Sequence, residues 1–310
     1  MSNQKNPDFL YVDGKYTYSK EVYQKYNRIL LKNQVSGHKG ITRKDQLYEN
    51  ISKTLAGENY LLENYQIDLV KIDYNFIKKL FDSGKDWIFK PVGGFGGAGI
   101  ETFERFDDFK NYTKLIMNRK DFGKRKESNL WVLQEYISNP LLYKGRKFHL
   151  RSYYLVHHDK YYFYNLSQVY TAEKEFKKKN YDDRKVHDTH IKGSIPGVYF
   201  PSSFNLKKKD IETIQGRIID LFQRANNLSK TKCFDETKDC YELLGADLMI
   251  TDKLEVKLLE INTKIGYKEF EGISFNYQLI ENEMQTIVDK IFPPKNKIKP
   301  TEDRFFIPIY

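Results

Sequence analysis

The chain has 310 residues, 40% hydrophobic and 30% charged, which is compatible with a folded soluble protein of two or three modest domains or one large composite one. Its net charge of +10, with pI near 9.1, favours an anionic partner, without choosing among nucleic acid, nucleotide, anionic lipid and acidic protein. The opening MSNQKNPDFL lacks the apolar core of a signal peptide, and no apolar run reaches the length of a membrane span, so a soluble cytoplasmic protein with no membrane partner is expected. Cys233 and Cys240 lie seven apart, fit no CxxC site, and suggest a reduced setting without a disulfide framework.

Leu10–Val12 followed by Asp13–Gly14 reads as a short strand and turn, and Ser19–Lys32 as a helix with Val22, Tyr26, Ile29 and Leu30 on one side. Thr42, with Asp45 three residues on, is spaced to cap a helix running to about Leu55. Asp73–Phe81 reads as a short helix ended by Ser83–Gly84. In DWIFKPVGGFGGAGIE (86–101), strands are predicted at Trp87–Lys90 and Ile100–Phe103. Gly93, Gly94, Gly96, Gly97 and Gly99 lie between them. Such a loop lets backbone N–H groups approach a phosphate, and Lys90 sits where its ammonium can reach phosphate oxygens. A flexible hairpin tip is the alternative; the loop is neither a Walker A sequence nor a GxGxxG opening a helix.

Asp107–Met117 reads as a helix and LWVLQEYI (130–137) as an apolar strand. Lys147–Val156 reads as a strand on which Lys147, His149 and Arg151 alternate to share one face, with Phe148 and Leu150 on the other. Cation-capable side chains are costly to bury without anions, so this face is either a phosphate or carboxylate site or a solvated surface. Lys160–Val169 reads as the next strand. Ala172–Gly197 reads as a long polar loop, a lid or substrate-binding segment holding His187, Thr189 and His190. Leu206–Leu228 is an amphipathic helix and Tyr277–Ile291 another; the terminal FFIPIY either packs back as a strand or stays exposed.

The segment LLGADLMITDKLEVKLLEINTK (243–264) carries the metal-capable oxygens of Asp247, Glu260 and Asn262. Two apolar runs flank a polar break and read as a hairpin. Glu260 and Asn262 are two apart and share a face. If Asp252–Lys253 is a two-residue turn, Asp247 joins that face; a three-residue loop would move it to the other. Oxygen donors without thiols suit a hard cation, Mg²⁺ before Zn²⁺. In order, a Lys and glycine loop, a polar–aromatic strand end, a cationic strand and a carboxylate hairpin each suit one part of a Mg·ATP site.

This arrangement resembles the ATP-grasp fold, and within it the tubulin tyrosine ligase-like family. TRKDQLYENI (42–51), WIFKPVGGFGGAGI (87–100), LQEYISNPLLYKGRKFHLRSYYLV (133–156), VHDTH (186–190) and LLGADLMITDKLEVKLLEIN (243–262) carry the resemblance. It implies an α+β fold with ATP between two antiparallel sheets. Its subdomains would be N-terminal (1–75), central with the glycine loop (76–140) and C-terminal with the metal hairpin (141–295), with a tail at 296–310. It implies a ligase in which ATP phosphorylates a carboxylate and an amine attacks the acylphosphate. Lys90, Gly96, Gly97, Gly99, Lys147 and Asp247 would contact ATP, with Gln134, Glu135, Tyr136 and Ile137 along the adenine. Asp247, Glu260 and Asn262 would hold Mg²⁺; Arg151, Lys147 and Glu260 would be catalytic; Arg151, His149, His187 and Thr189 would face substrate. A free amino acid and an acidic, tubulin-tail-like protein or peptide acceptor would be its partners, and nucleic acid is not expected. The sequence departs from the family pattern at His149, where Asp is usual, and at His190, where Asn is usual. It also has no Arg near Tyr170. No motif separates tyrosination, glutamylation and glycylation. Two other readings share these residues: an ATP-grasp kinase of a polyanionic small molecule, and a degenerate homologue that only binds nucleotide or an acidic tail.

Overall fold

The computed structural model describes residues 9–11, 30–33, 35, 39–54, 60–93, 98–119, 122, 129–179, 181–190, 194–228, 233, 239–263, 273–294 and 305–309. The glycines at 94, 96 and 97 and most of the helix expected at 19–32 lie outside them.

The first sheet is antiparallel throughout, in the order β3 (Asn64–Asp68), β6 (Leu130–Glu135), β4 (Trp87–Pro91), β5 (Glu101–Phe103). Strand alternation divides its side chains. Trp87, Phe89, Trp131 and Leu133 enter a core with Ile77, Phe81 and Phe109 from the helices Tyr74–Phe81 and Phe106–Met117. Lys90 and Gln134, at the alternate positions, take the opposite face. The first helix starts where expected because Asp73 Oδ1 accepts from the N–H groups of Asn75 and Phe76, at 3.0 Å each. Strand β3, NYQID, alternates and turns Tyr65 and Ile67 toward this core, and it was not expected from the sequence.

The second sheet is built on β8 (Arg146–His157) and β12 (Asp239–Ile250), antiparallel neighbours with Arg151 opposite Asp247. One face packs Leu150, Tyr154, Leu244 and Leu248 against Ile214, Ile218 and Phe222 of the helix Lys208–Leu228. The other is apolar at one end, where Tyr153, Leu155 and Leu243 meet Phe275 and Leu279 of the helix Ile273–Glu283. At its opposite end it carries Lys147, His149, Arg151 and Asp247. The turn Lys144–Gly145, with φ of 48° and 73°, closes the hairpin between β7 (Leu142–Tyr143) and β8.

Several expectations are corrected. This sheet is not purely antiparallel: β1 (Phe9–Leu10) and β2 (Leu31–Lys32) add to the β12 edge as parallel pairs. Leu31–Lys32 is therefore strand, not helix. Thr42 lies within a short helix, Lys39–Thr42, and not at the start of the next, Lys44–Thr54, which begins after Arg43. The single strand expected at 160–169 is two, β9 (Lys160–Tyr164) and β10 (Ser167–Thr171). The break at Asn165–Leu166 lets β9 pair outward with β14 (Phe306–Ile309) and β10 with β11 (Tyr199–Phe200). The terminal apolar residues thus pack back as a strand. The helix Arg184–His187 interrupts the long polar segment. Cys233 and Cys240 form a disulfide, contrary to the expectation for a reduced setting. A lone pair closing a short loop leaves no spacing signature of a framework. Among the described residues no helix is long and apolar enough to cross a membrane.

Candidate active site

The two sheets face each other across a cleft. From the first sheet Ile88, Lys90, Gln134, Glu135, Tyr136 and Ile137 line it; from the second Lys147, Asp247, Met249 and Glu260 do. Lys44, from the start of the Lys44–Thr54 helix, closes one side.

The hairpin reaches this geometry by a different route from the expected one. Thr251 N–H donates to Glu255 O at 2.9 Å and Ile250 pairs with Val256, so the loop Asp252–Leu254 has three residues, with Leu254 at φ 62°. That register alone would put Asp247 opposite Leu259. A β-bulge between Asp247 and Leu248 inserts one residue into β13 (Val256–Asn262) and sets Asp247 opposite Glu260. The three oxygen-bearing side chains do converge. Asn262 Nδ2 donates to Glu260 Oε1 at 3.1 Å and to Asp247 Oδ2 at 3.3 Å.

Charge neutralisation explains how so many ionisable groups are tolerated here. Asp247, 2% exposed, is gripped by Arg151 through Nε to Oδ1 and Nη2 to Oδ2, the latter at 3.0 Å. Burial raises the Asp247 pKa, and the Arg151 guanidinium opposes that rise. Burial works against the Arg151 charge too, but Asp247 outweighs it and raises the guanidinium pKa further. Glu260 sits 3.2 Å from Lys44 Nζ. Burial alone would raise its carboxyl, but Lys44, Lys90 and the Asn262 amide overcome it and hold Glu260 well below the usual carboxylate range.

The two cleft lysines are different. Lys90 donates to Gln134 Oε1 at 2.9 Å, and Gln134 Nε2 in turn donates to Tyr48 Oη. Burial lowers the Lys90 pKa to about 8. Lys147 Nζ lies 3.9 Å from the centre of the Tyr136 ring, a cation–π contact, and burial lowers its pKa to about 7. Burial outweighs the nearby charges of Glu260 and Asp247 at Lys90 and of Asp188 at Lys147, and a further anion in the cleft would favour both charged forms.

The 184–190 segment folds over β8. Tyr136 Oη meets His187 Nδ1 at 2.7 Å, and His149 Nδ1 meets Thr189 Oγ1 at 2.6 Å. The His149 ring stacks between Tyr170 and His190, with centroids 5.0 and 4.9 Å away. Burial, the His190 ring and Arg151 push the His149 pKa well below its ordinary value, so the ring is neutral. The two residues that depart from the family pattern therefore pack on each other.

Of the residues expected at the site, Lys90, Gln134–Ile137, Lys147, Asp247 and Glu260 line one cleft. Arg151, His149 and Asn262 stand directly behind it, bonded to or beside Asp247. His187 and Thr189 line an adjoining recess with Arg184. Gly99, at φ 76°, packs on Pro91 and Trp131; Gly96 and Gly97 lie outside the described residues. Lys44 and His190 line the cleft and were not assigned there from sequence. Lys44 lay within the quoted TRKDQ segment, which was its only signal.

A model of the Tubulin-tyrosine ligase family matches residues 23–192 and 199–266. The chain belongs to that family. It is 25% identical over 296 residues to a protein of Caenorhabditis elegans named a probable tubulin polyglutamylase, covering 80% of this chain and 65% of that one. It is 27% identical over 245 residues to a protein polyglycylase of Macaca fascicularis, covering 68% of this chain and 38% of the other. A human relative, 26% identical over 250 residues with 70% and 36% covered, is named an inactive polyglycylase. The chain thus spans between about a third and two thirds of the length of these relatives. Within the tubulin-tyrosine ligase family, then, similarity at this level includes proteins named as active and as inactive.

Proposed function

We propose that the cleft binds Mg·ATP and that the protein is an amino acid ligase, joining a free amino acid to a carboxylate of an acidic protein or peptide acceptor. The observation that carries this reading is the meeting of two buried lysines, Lys90 and Lys147, whose charge burial disfavours, with the carboxyl groups of Asp247 and Glu260 in one cleft. The lysines suit a polyphosphate. Asp247, Glu260 and Asn262 are hard oxygen donors and would hold Mg²⁺, which would neutralise charge on the phosphates. The apolar wall of Ile88, Ile137, Met249 and Leu259 suits a nucleobase, with Gln134–Tyr136 along its edge.

In this reading the acceptor carboxylate attacks the γ-phosphorus, ADP departs, and an acylphosphate forms. The amine then attacks the acyl carbon, phosphate departs, and the nitrogen loses its proton. Lys147 holds the transferring phosphoryl oxygens, which restores its positive charge. Arg151, fixed on Asp247, orients the acidic group at the back of the cleft. The neutral, stacked His149, with Thr189 and His187, borders the space left for the amino acid.

The test is product analysis. An acidic peptide incubated with ATP, Mg²⁺ and mixed amino acids gains the mass of one or more residues as ADP accumulates, and Glu260→Gln abolishes both. Full activity in Glu260→Gln would remove the metal assignment. A phosphorylated small molecule in place of an amide adduct would indicate the kinase reading instead. One observation favours a second reading, a binding homologue without chemistry: both Asp247 oxygens are already engaged by Arg151. Nucleotide binding without turnover across a panel of acceptors would select it.

A further inference from the structure

The strands that carry the candidate active site bring a second group of ligands together at their other end. His157 ends β8 and Asp239 begins β12, eight residues before Asp247 on the same strand. At strand rise the separation is about 25 Å. His157 Nε2 lies 3.0 and 3.2 Å from the two oxygens of Asp239. His158 Nε2 lies 2.6 Å from Oδ1. Consecutive strand residues point to opposite faces, so two adjacent histidines reach one carboxylate only if the backbone is turned between them. His158 is turned in this way, with φ 54°, a conformation uncommon for residues other than glycine. The carboxylate is also positioned: its Oδ1 accepts from the Cys240 N–H at 2.8 Å, and Cys240 is tied to Cys233 by the disulfide.

We propose that His157, His158 and Asp239 form a binding site for a divalent transition metal, Zn²⁺ foremost. The donor set is two imidazole nitrogens and one carboxylate oxygen, all within 4.8 Å of one another. Two imidazoles and a carboxylate leave a fourth tetrahedral position open, and imidazole favours Zn²⁺ over Mg²⁺. Tetrahedral ligands about 2.0–2.1 Å from zinc are roughly 3.3 Å apart, so the imidazole–carboxylate contacts, at 3.0 and 2.6 Å, would open to admit the ion. The side chains are 18%, 54% and 28% exposed, which leaves them room to open and gives the ion an entry path. The left-handed φ of His158 belongs to the two-residue turn His158–Asp159, across which His157 pairs with Lys160, and this turn delivers the second imidazole to the carboxylate. The site is separate from His149, His190 and Asp247, a second cluster of histidine and carboxylate groups among the described residues, which belongs to the cleft.

The test is Zn²⁺ titration by calorimetry, with Co²⁺ absorbance as a geometric probe. The full chain is used at pH 7.5 without reductant, so that the disulfide stays closed, and with Mg·ADP saturating the cleft. One equivalent is expected to bind, and tetrahedral Co²⁺ bands are expected to appear. His158→Asn suits the left-handed backbone and keeps the fold, and Asp239→Asn keeps the shape of the carboxylate. Each is expected to weaken binding about tenfold or more, with unchanged circular dichroism. His190→Asn is expected to bind as the wild type does. Absence of stoichiometric binding overturns the proposal. So does binding that survives His158→Asn and Asp239→Asn, or that is lost in His190→Asn.

Discussion

Lys147 gives the most direct measurement of whether the cleft receives a polyphosphate. Its ammonium is 4% exposed, faces the Tyr136 ring, and titrates at about 7. At pH 8 it is charged in only about 10% of molecules. Phosphate oxygens within hydrogen-bond reach return it toward its ordinary value and charge it fully. Binding of Mg·ADP at pH 8 therefore takes up about 0.9 proton at this residue, and at pH 6 only about 0.1. Lys90, held at about 8, adds about half a proton at pH 8. The assay is calorimetry in two buffers of different ionisation enthalpy, where the difference in heat per mole of nucleotide counts the protons. Lys147→Met keeps the volume and removes the titration, and is expected to reduce the uptake by about 0.9 proton at pH 8. Equal uptake in wild type and variant would refute the reasoning. The same depressed pKa acts on the ligand-free fold with a defined sign. The unfolded lysine keeps its proton up to about 10.5, so this contribution to stability is full above that pH. It is lost as pH falls through about 7.

Lys44→Met removes one of the two cations that hold Glu260 ionised, so the acid limb of the pH–activity profile is expected to move up by about one unit or more; an unmoved limb would exclude that role. Glu283 is 1% exposed, and burial raises its pKa to about 8. A raised carboxyl favours the fold below the unfolded value near 4.5, and that contribution is lost as pH rises through about 8, at up to about 1.4 kcal/mol per unit. Glu283→Gln is therefore expected to be more stable than wild type at pH 8 and not at pH 4.5, as measured by urea melts. Phe222→Ala removes a fully buried ring stacked 4.4 Å from Tyr154 and is expected to cost about 3–5 kcal/mol. Gly99→Ala is expected to cost about 1–2 kcal/mol through its φ of 76°, whereas Gly93→Ala, with nothing within 4 Å of a new Cβ, is expected to be near neutral.

Much of the site was legible because its residues sit on strands and strand alternation is local. Lys147, His149 and Arg151 had to share a face once β8 was recognised, and Phe148 and Leu150 had to leave it. The convergence of Glu260 and Asn262 follows the same rule. Asp247 is the instructive case. Its place beside Glu260 was expected from a two-residue turn, but the loop has three residues, and the bulge between Asp247 and Leu248 restores the pairing. A bulge has no pattern of its own in a run such as VKLLEIN, where the extra residue, Leu259, is identical to Leu258 beside it. Strand β3 escaped notice because it is short: NYQID alternates, but it offers only Tyr65 and Ile67 to one face, and its pairing with β6 is long-range.

From its sequence alone this chain determined the periodic elements, the residue types of the cleft, and the order in which a lysine loop, a cationic strand and a carboxylate hairpin occur. Those properties depend on neighbours within a few residues. Tertiary structure decided everything that depends on which segments meet. It brought Lys44 to Glu260 and the Thr189 hydroxyl to His149, and it lowered the pKa of the two cleft lysines by burying them. It also joined Cys233 to Cys240 and set two histidines from a turn against Asp239, at the far end of the strands that carry the cleft. Burial and long-range pairing set these charges and contacts, and neither is a property of any segment read by itself.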